Sequence, residues 1–244
     1  MTIKNRFYAF FTHLLLSSLV AVLTIIFVFF IWYPSPLDKA VGVTEIFLIV
    51  LGVDIIMGPI MTLVVFKPKK PGLILDLFII VILQFFALTY GLSTVFMGRP
   101  VFIVFNQDRF DLTRAIDIDE ASLKIAEKTN NPSANVSWLK PHWVGAVAPK
   151  DKKRAEEILF SALDGGPDWP QLPELFVPLE QVKEQMLKKA QPLDILRQRD
   201  KQGLLAEQPN TIKWLPLNGK VKGQTVLIDS NSAEIIKVVD IDPW

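Results

Sequence analysis

The sequence predicts a membrane protein in which three transmembrane helices are followed by a small α+β domain outside the membrane. Half of the 244 residues are hydrophobic and 21% are charged. The apolar residues concentrate in three runs that all end before residue 98, and each run supplies the roughly 20 apolar residues needed to cross a bilayer. The remainder carries nearly equal numbers of basic and acidic residues, as is typical of a water-soluble domain.

The three runs predict membrane spans at residues 7–33, 46–66 and 73–97. The first run is longer than the apolar core of a signal peptide, and the "WYPSP" that ends it has no small-x-small cleavage pattern. We therefore interpret it as an uncleaved anchor. The predicted domains are a three-helix membrane domain, residues 1–97, and a periplasmic α+β domain, residues 98–244.

The lysine distribution predicts the orientation of the spans. Lys4 and Arg6 precede the first span, and the "KPKK" of residues 67–70 separates the second from the third. Positive loops face the cytoplasm, so both regions are expected there. The N-terminus is then cytoplasmic, and everything after the third span is exported. In a bacterium with two membranes, this predicts a multi-pass inner-membrane protein with a periplasmic C-terminal domain.

The exported part shows a mixture of strand and helix patterns. Residues 99–114 form a β-rich run, and helices are predicted at about residues 119–128, 149–163 and 180–190. The longest of these places Ala155, Ile158, Leu159 and Ala162 on one face. The chain closes with two β-rich arms around "DSNSAE", which predicts a hairpin. We expect this domain to fold independently from about Arg99 onward.

Several classes of site are disfavoured by composition. The chain has no cysteine and a net charge of +1, which excludes thiolate sites and gives no basic footprint for nucleic acid. The acidic run at residues 108–120 lacks the spacing of a calcium loop. His13 and His142 are poor catalytic candidates, His13 favouring a packing role. We predict no catalytic residue, no metal site and no cofactor, and therefore no enzyme.

Asp54 is the residue whose position requires a reason, because an ionised carboxylate is costly inside a membrane. It lies 13 positions before Lys67, or roughly 20 Å at 1.5 Å per residue. Gln84 lies 12 positions after Gly72, or roughly 18 Å, so both are expected at similar depth on neighbouring spans. The favoured interpretation is an Asp54–Gln84 hydrogen bond that holds the bundle together, with close helix approach at Gly52 and Gly58.

A second interpretation of Asp54 stays open, namely that it recognises a group on another membrane helix. Intramembrane aspartyl proteolysis is rejected, because it needs two facing carboxylates and Asp76 lies near the cytoplasmic end of its span. The sequence around Asp54 also lacks the G-x-G-D arrangement of such proteases.

Several motifs together resemble a known family. They are "FTHLLLSSLVAVL", "WYPSPL", "LGVDIIMGPIMTLVVFKPKK", "RPVFIVFNQDRF", "WLPLNGK" and "VVDIDPW". They resemble the type IV pilin accessory proteins of the TfpX/TfpZ type over nearly the whole chain, most weakly from about residue 129 to 208. The residues that match the recurring motifs by position are Asp54, Gly58, Pro59, Arg99, Pro100 and Arg109.

The resemblance implies an inner-membrane protein that helps pilin assembly or pilus display, and it brings no catalytic residues. We therefore expect a non-enzymatic accessory or chaperone protein whose partners are the membrane and the type IV major pilin. Gly52, Asp54, Gly58, Pro59 and Gln84 are the residues expected in intramembrane packing or partner contact. The alternatives are an enzyme with its active site in the exported domain, acting on pilin or the cell envelope, and a small transporter component.

Overall fold

The computed structural model describes residues 2–209 and 211–244, which form two compact units. The membrane unit contains the chain up to Trp32 together with Val43–Met97. The sheet unit contains Gly98–Trp244 and also the short segment Tyr33–Gly42, which connects the first two spans. The chain therefore enters the sheet unit twice.

The described part of the membrane unit is helical apart from the loop at residues 66–72. Its helices are α1 (Thr2–Phe27), which continues as a π-helical turn (Val28–Trp32), α3 (Val43–Gly52), a second π-helical turn (Val53–Met57), α4 (Gly58–Val65) and α5 (Leu73–Met97). The intervening helix α2 (Leu37–Val41) belongs to the sheet unit. Pro59 lies inside the continuous helical stretch Val43–Val65, just after the second π-helical turn, and it has no backbone N–H to donate to that turn.

Three helical stretches of this unit are long and apolar enough to cross a membrane. They are Ile3–Trp32, Val43–Val65 and Leu73–Met97, referred to below as spans one, two and three. Large apolar side chains such as Leu15, Leu48 and Ile74 are exposed on their outer faces, as lipid contact requires. The predicted three-helix architecture is confirmed.

The sheet unit is built on one mixed eight-stranded sheet. Its strands are β1 (Pro100–Asn106), β2 (Arg109–Arg114), β3 (His142–Ala146), β4 (Phe176–Pro178), β5 (Gln191–Pro192), β6 (Ile212–Asn218), β7 (Gln224–Asp229) and β8 (Ile235–Val239). The strand order is β4-β3-β1-β2-β6-β7-β8, with β5 paired to β6. Four helices lie between its strands along the chain: α6 (Glu120–Lys128), α7 (Lys152–Leu163), α8 (Lys183–Lys189) and α9 (Leu193–Arg199).

Strand β1 is buried on both faces, which explains its continuous apolar sequence "VFIVF". Ile103 and Phe105 belong to one core cluster, and Phe102 and Val104 belong to another. A strand that alternated apolar and polar residues could fill only one of these clusters. The continuous apolar sequence of β1 therefore suits an interior strand that packs on both faces.

The predicted α+β character is confirmed, with differences in detail. The β-rich run of residues 99–114 is a hairpin rather than one strand, because Gln107 adopts a left-handed conformation (φ 60°) that turns the chain. The three predicted helices and the closing hairpin are present. On α7, however, Ile158 is buried whereas Leu159 is 59% exposed, so the predicted apolar face is narrower than expected.

The segment Tyr33–Gly42 forms part of the core of the sheet unit. Leu37 and Ala40 are buried in the same apolar cluster as Phe105 and Leu217. The backbone N–H of Val221 donates a hydrogen bond to the carbonyl of Ala40 over 2.9 Å. An expectation based on residues 99–244 alone therefore omits side chains that complete this core.

A charged cluster also ties this segment to the end of the chain. Asp240 accepts hydrogen bonds from Lys39 over 2.8 Å and from Lys222 over 2.6 Å. Burial disfavours the charged carboxylate, but the two ammonium groups outweigh burial and lower the pKa of Asp240. Asp240 is therefore ionised at neutral pH and links the segment to the strand region that ends the protein.

Candidate functional site: a polar groove in the membrane unit

The membrane unit contains a groove of about 660 Å³ between spans one and three. Both spans pack against span two, which supplies the base of the groove. The walls are mainly apolar, and the residues that line it are Tyr8, Ala9, Thr12, His13, Leu16, Ser17, Val20, Asp54, Thr62, Phe66, Leu77, Val81, Gln84, Phe85 and Leu88. Polar side chains lie at its base.

Asp54 and Gln84 meet at the base of this groove. The side-chain amide of Gln84 donates to the backbone carbonyl of Asp54 over 2.9 Å and to its carboxylate Oδ1 over 3.1 Å. Asp54 is only 7% exposed and lies in the π-helical turn Val53–Met57. Such turns are rare in proteins overall, and those that occur are often found at functional sites. The structure thus brings together the two polar residues that the sequence placed at equal depth.

Gly58 makes the approach of Gln84 possible. A Cβ atom at Gly58 would overlap the amide group of Gln84, so the hydrogen bonds to Asp54 depend on the missing side chain. Pro59 beside it is also buried. Gly52 differs, because nothing lies within 4 Å of a Cβ built there. Another close approach occurs at Gly91, where a Cβ would overlap Val50.

A second polar pair joins span one to span two. His13 Nδ1 and Thr62 Oγ1 lie 2.6 Å apart, and both residues line the groove. His13 was expected to have a packing role, and Thr62 was not among the predicted residues. The available signal was spacing: Asp54, Gly58 and Thr62 follow one another at intervals of four residues, which places them on one helix face. All three are buried.

The groove offers a hydrogen-bond acceptor at the middle of a membrane span. An ionised carboxylate can accept at both of its oxygens, and Gln84 occupies Oδ1. Asp76 does not line the groove and instead forms an ion pair with Lys70, with 2.7 Å between the charged groups. This arrangement suits the binding of a helix through packing and one polar contact.

Comparison with known proteins assigns the chain to a family. A family model described as fimbrial assembly protein FimB matches residues 1–42, which cover span one and the segment inserted in the sheet unit. A fimbrial assembly protein of Dichelobacter nodosus, serogroups C1 and C2, is 35% identical over 108 residues, which make up 43% of this chain and 82% of the relative. The chain belongs to the fimbrial assembly protein family.

Longer relatives extend the similarity to almost the whole chain. The fimbrial assembly proteins of serogroups I and E1 from the same organism are each 28% identical over 246 residues, covering 95% of this chain and 93% of theirs. No solved structure matches the chain. The resemblance seen in the sequence motifs is confirmed, and this fimbrial assembly protein has a role in pilus assembly.

Proposed function

We propose that this fimbrial assembly protein is a non-enzymatic accessory protein that binds the type IV major pilin in the bacterial inner membrane. Before assembly, a pilin is a membrane-spanning helix with a periplasmic head. In the orientation proposed from the lysine distribution, the sheet unit is periplasmic and faces the same compartment as that head. A protein with both parts can keep a subunit in the membrane until it is assembled.

The observation that carries this proposal is the groove between spans one and three. Its apolar walls include Phe85 and Leu16, which are 62% and 57% exposed. Helices associate in a membrane through close packing and interhelical hydrogen bonds, since lipid is as apolar as the helices themselves. A groove with apolar walls and a polar base supplies both kinds of contact to one added helix.

The alternative of an enzyme in the exported domain has less support, because Asp111, Asp117 and Asp119 of the acidic run have structural partners. Asp111 Oδ1 accepts hydrogen bonds from Arg109 and Asn218. Asp119 caps the N-terminus of α6 by accepting from the backbone N–H of Ser122.

Asp117 also has a structural role. It binds Arg114 over 2.8 Å and Lys220 over 3.1 Å. Burial disfavours ionisation of this carboxyl, but its bonds to Arg114 and Lys220 prevail and lower its pKa. An acid held ionised by two cations is suited to holding strands together rather than to proton transfer.

Photo-crosslinking in living cells tests the proposed contact with pilin. The photoreactive amino acid p-benzoylphenylalanine is placed at Phe85, which lines the groove, and in a separate strain at Phe86. The two side chains are adjacent and almost equally exposed, at 62% and 63%, but Phe86 does not line the groove. The matched pair therefore separates groove occupancy from general lipid exposure.

We expect irradiation to attach pilin at position 85 and much less at position 86. Pilin is identified by antibody and by the mass of the product. A strain that lacks pilin serves as the control and should lose the product. Equal yields at the two positions, or no pilin product at either, would contradict the proposal.

A further inference from the structure

The two carboxylate oxygens of Asp54 have different surroundings. Oδ1 accepts the hydrogen bond from Gln84 over 3.1 Å. In the described ranges, residues 2–209 and 211–244, the structure shows no hydrogen bond to Oδ2. Asp54 is nevertheless more than nine-tenths buried and lines the groove. One half of the carboxylate is therefore used within the bundle, and the other half is available at the base of the groove.

An acceptor without a partner is costly in a membrane, because no water reaches the hydrocarbon region to bind it. The described residues that line the groove include neither lysine nor arginine. His13 already pairs with Thr62. The base of the described lining, His13, is thus engaged by Thr62, and no described residue bonds Oδ2. A molecule that fills the groove can supply the complementary donor.

We propose that Asp54 Oδ2 accepts a hydrogen bond from a side-chain donor in the middle of the pilin membrane helix. This inference rests on the proposed binding of pilin in the groove and adds the chemistry that selects it. A helix with only apolar side chains would leave Oδ2 without a partner. A helix with a donor at the depth of Asp54 removes that cost, so the groove distinguishes pilin from other membrane helices by one polar contact.

The variant Asp54→Asn separates this role from packing. The amide of Gln84 also donates to the backbone carbonyl of Asp54, which fixes its orientation. The substituted side chain would then turn its carbonyl oxygen toward Gln84 and place its NH2 group where Oδ2 was. The bond within the bundle is retained, whereas the group that faces the groove changes from an acceptor to a donor.

We expect Asp54→Asn to be as abundant as the wild type and to give a pilin crosslink from position 85 that is weaker by about threefold to twentyfold, the range that intramembrane hydrogen bonds span. Yields are expressed per amount of full-length protein. Gln84→Leu is the matched control, since it removes the bond within the bundle and leaves Oδ2 in place. Per molecule, it should lose less of the crosslink than Asp54→Asn.

The partner donor is found by replacing each donor side chain of the pilin helix with leucine. One replacement should lower the crosslink in the wild type and have no further effect in Asp54→Asn. A wild-type crosslink yield in Asp54→Asn overturns the inference while leaving pilin binding intact. A product of twice the mass of this chain assigns the groove to a second copy, and an absent wild-type crosslink overturns the proposed function itself.

Discussion

At the scale of single residues, the hydrogen bonds between Gln84 and Asp54 depend on Gly58. Gly58 has an ordinary right-handed helical backbone, so its importance comes from space rather than from conformation. The space is taken by the amide of Gln84, which bonds both the carbonyl and the carboxylate of Asp54. Gly52, six residues earlier, has no such neighbour.

The variant Gly58→Ala should therefore destabilise the bundle, because the added methyl group displaces the end of Gln84 and breaks its bonds to Asp54. The expected loss is about 0.6–1.7 kcal/mol, the worth of hydrogen bonds in membranes. Unfolding of the purified full chain in mixed micelles with increasing SDS measures it. Gly52→Ala is the control and should be neutral or slightly stabilising, since alanine favours helices. Equal effects of the two variants would refute the role of Gly58.

The polar pair of the groove was predictable at this scale because depth follows from a helical rise of 1.5 Å per residue. Asp54 and Gln84 could be placed at equal depth by counting from the lysines between their spans. The pairing of His13 with Thr62 could not be placed in this way. Threonine is common in membrane helices, and nothing in the sequence of span one shows which of its faces turns toward span two.

At the scale of elements, the segment Tyr33–Gly42 has an unexpected place. The sequence indicates only a short external loop between two spans, with few charges. In the structure, Leu37 is 4% exposed and Ala40 is fully buried within the core of the sheet unit. The partners of these residues lie more than 60 positions later in the sequence, so a local pattern could not reveal them.

We predict that Leu37→Ala destabilises the sheet unit by about 2–5 kcal/mol, the usual cost of removing a buried leucine side chain. Leu163→Ala is the control in the same unit, because Leu163 is 74% exposed and should change stability by about 0.5 kcal/mol or less. Thermal unfolding of the detergent-purified full chain, followed by near-UV circular dichroism, measures both. Equal stability of Leu37→Ala and the control would show that the segment is dispensable.

A domain that starts at Arg99 lacks this segment and should be less stable than one with residues 33–42 linked to it.

Strands β2 and β6 show why the sheet was only partly predictable. The hairpin between β1 and β2 turns at Gln107 and Asp108 without a glycine, so the usual hairpin signal is missing. Strand β6 contains Pro216, although proline is usually confined to strand edges and bulges. Strand β6 nevertheless pairs with β5, with β7 and with the end of β2. This long-range pairing overrides the local signal of the proline.

At the scale of the whole molecule, the proposed function depends on which side of the membrane each part occupies. Three spans place the two chain ends on opposite sides. The basic residues before span one and between spans two and three favour the cytoplasm for both regions, since short loops rich in lysine are retained there. The boundary between a membrane domain and an exported domain at residues 97 and 98 stays a prediction.

Reporter fusions test this orientation. Alkaline phosphatase, which folds to an active form only in the periplasm, should be active when fused after Trp244 and inactive when fused after Lys70. A reporter that fluoresces only in the cytoplasm should give the opposite pattern at the same two sites, which controls for differences in expression. The physical reason is the lysine cluster at residues 67–70, which resists transfer across the membrane. Phosphatase activity at Lys70 together with its absence at Trp244 would show the opposite orientation. The sheet unit would then be cytoplasmic and could not reach the head of pilin.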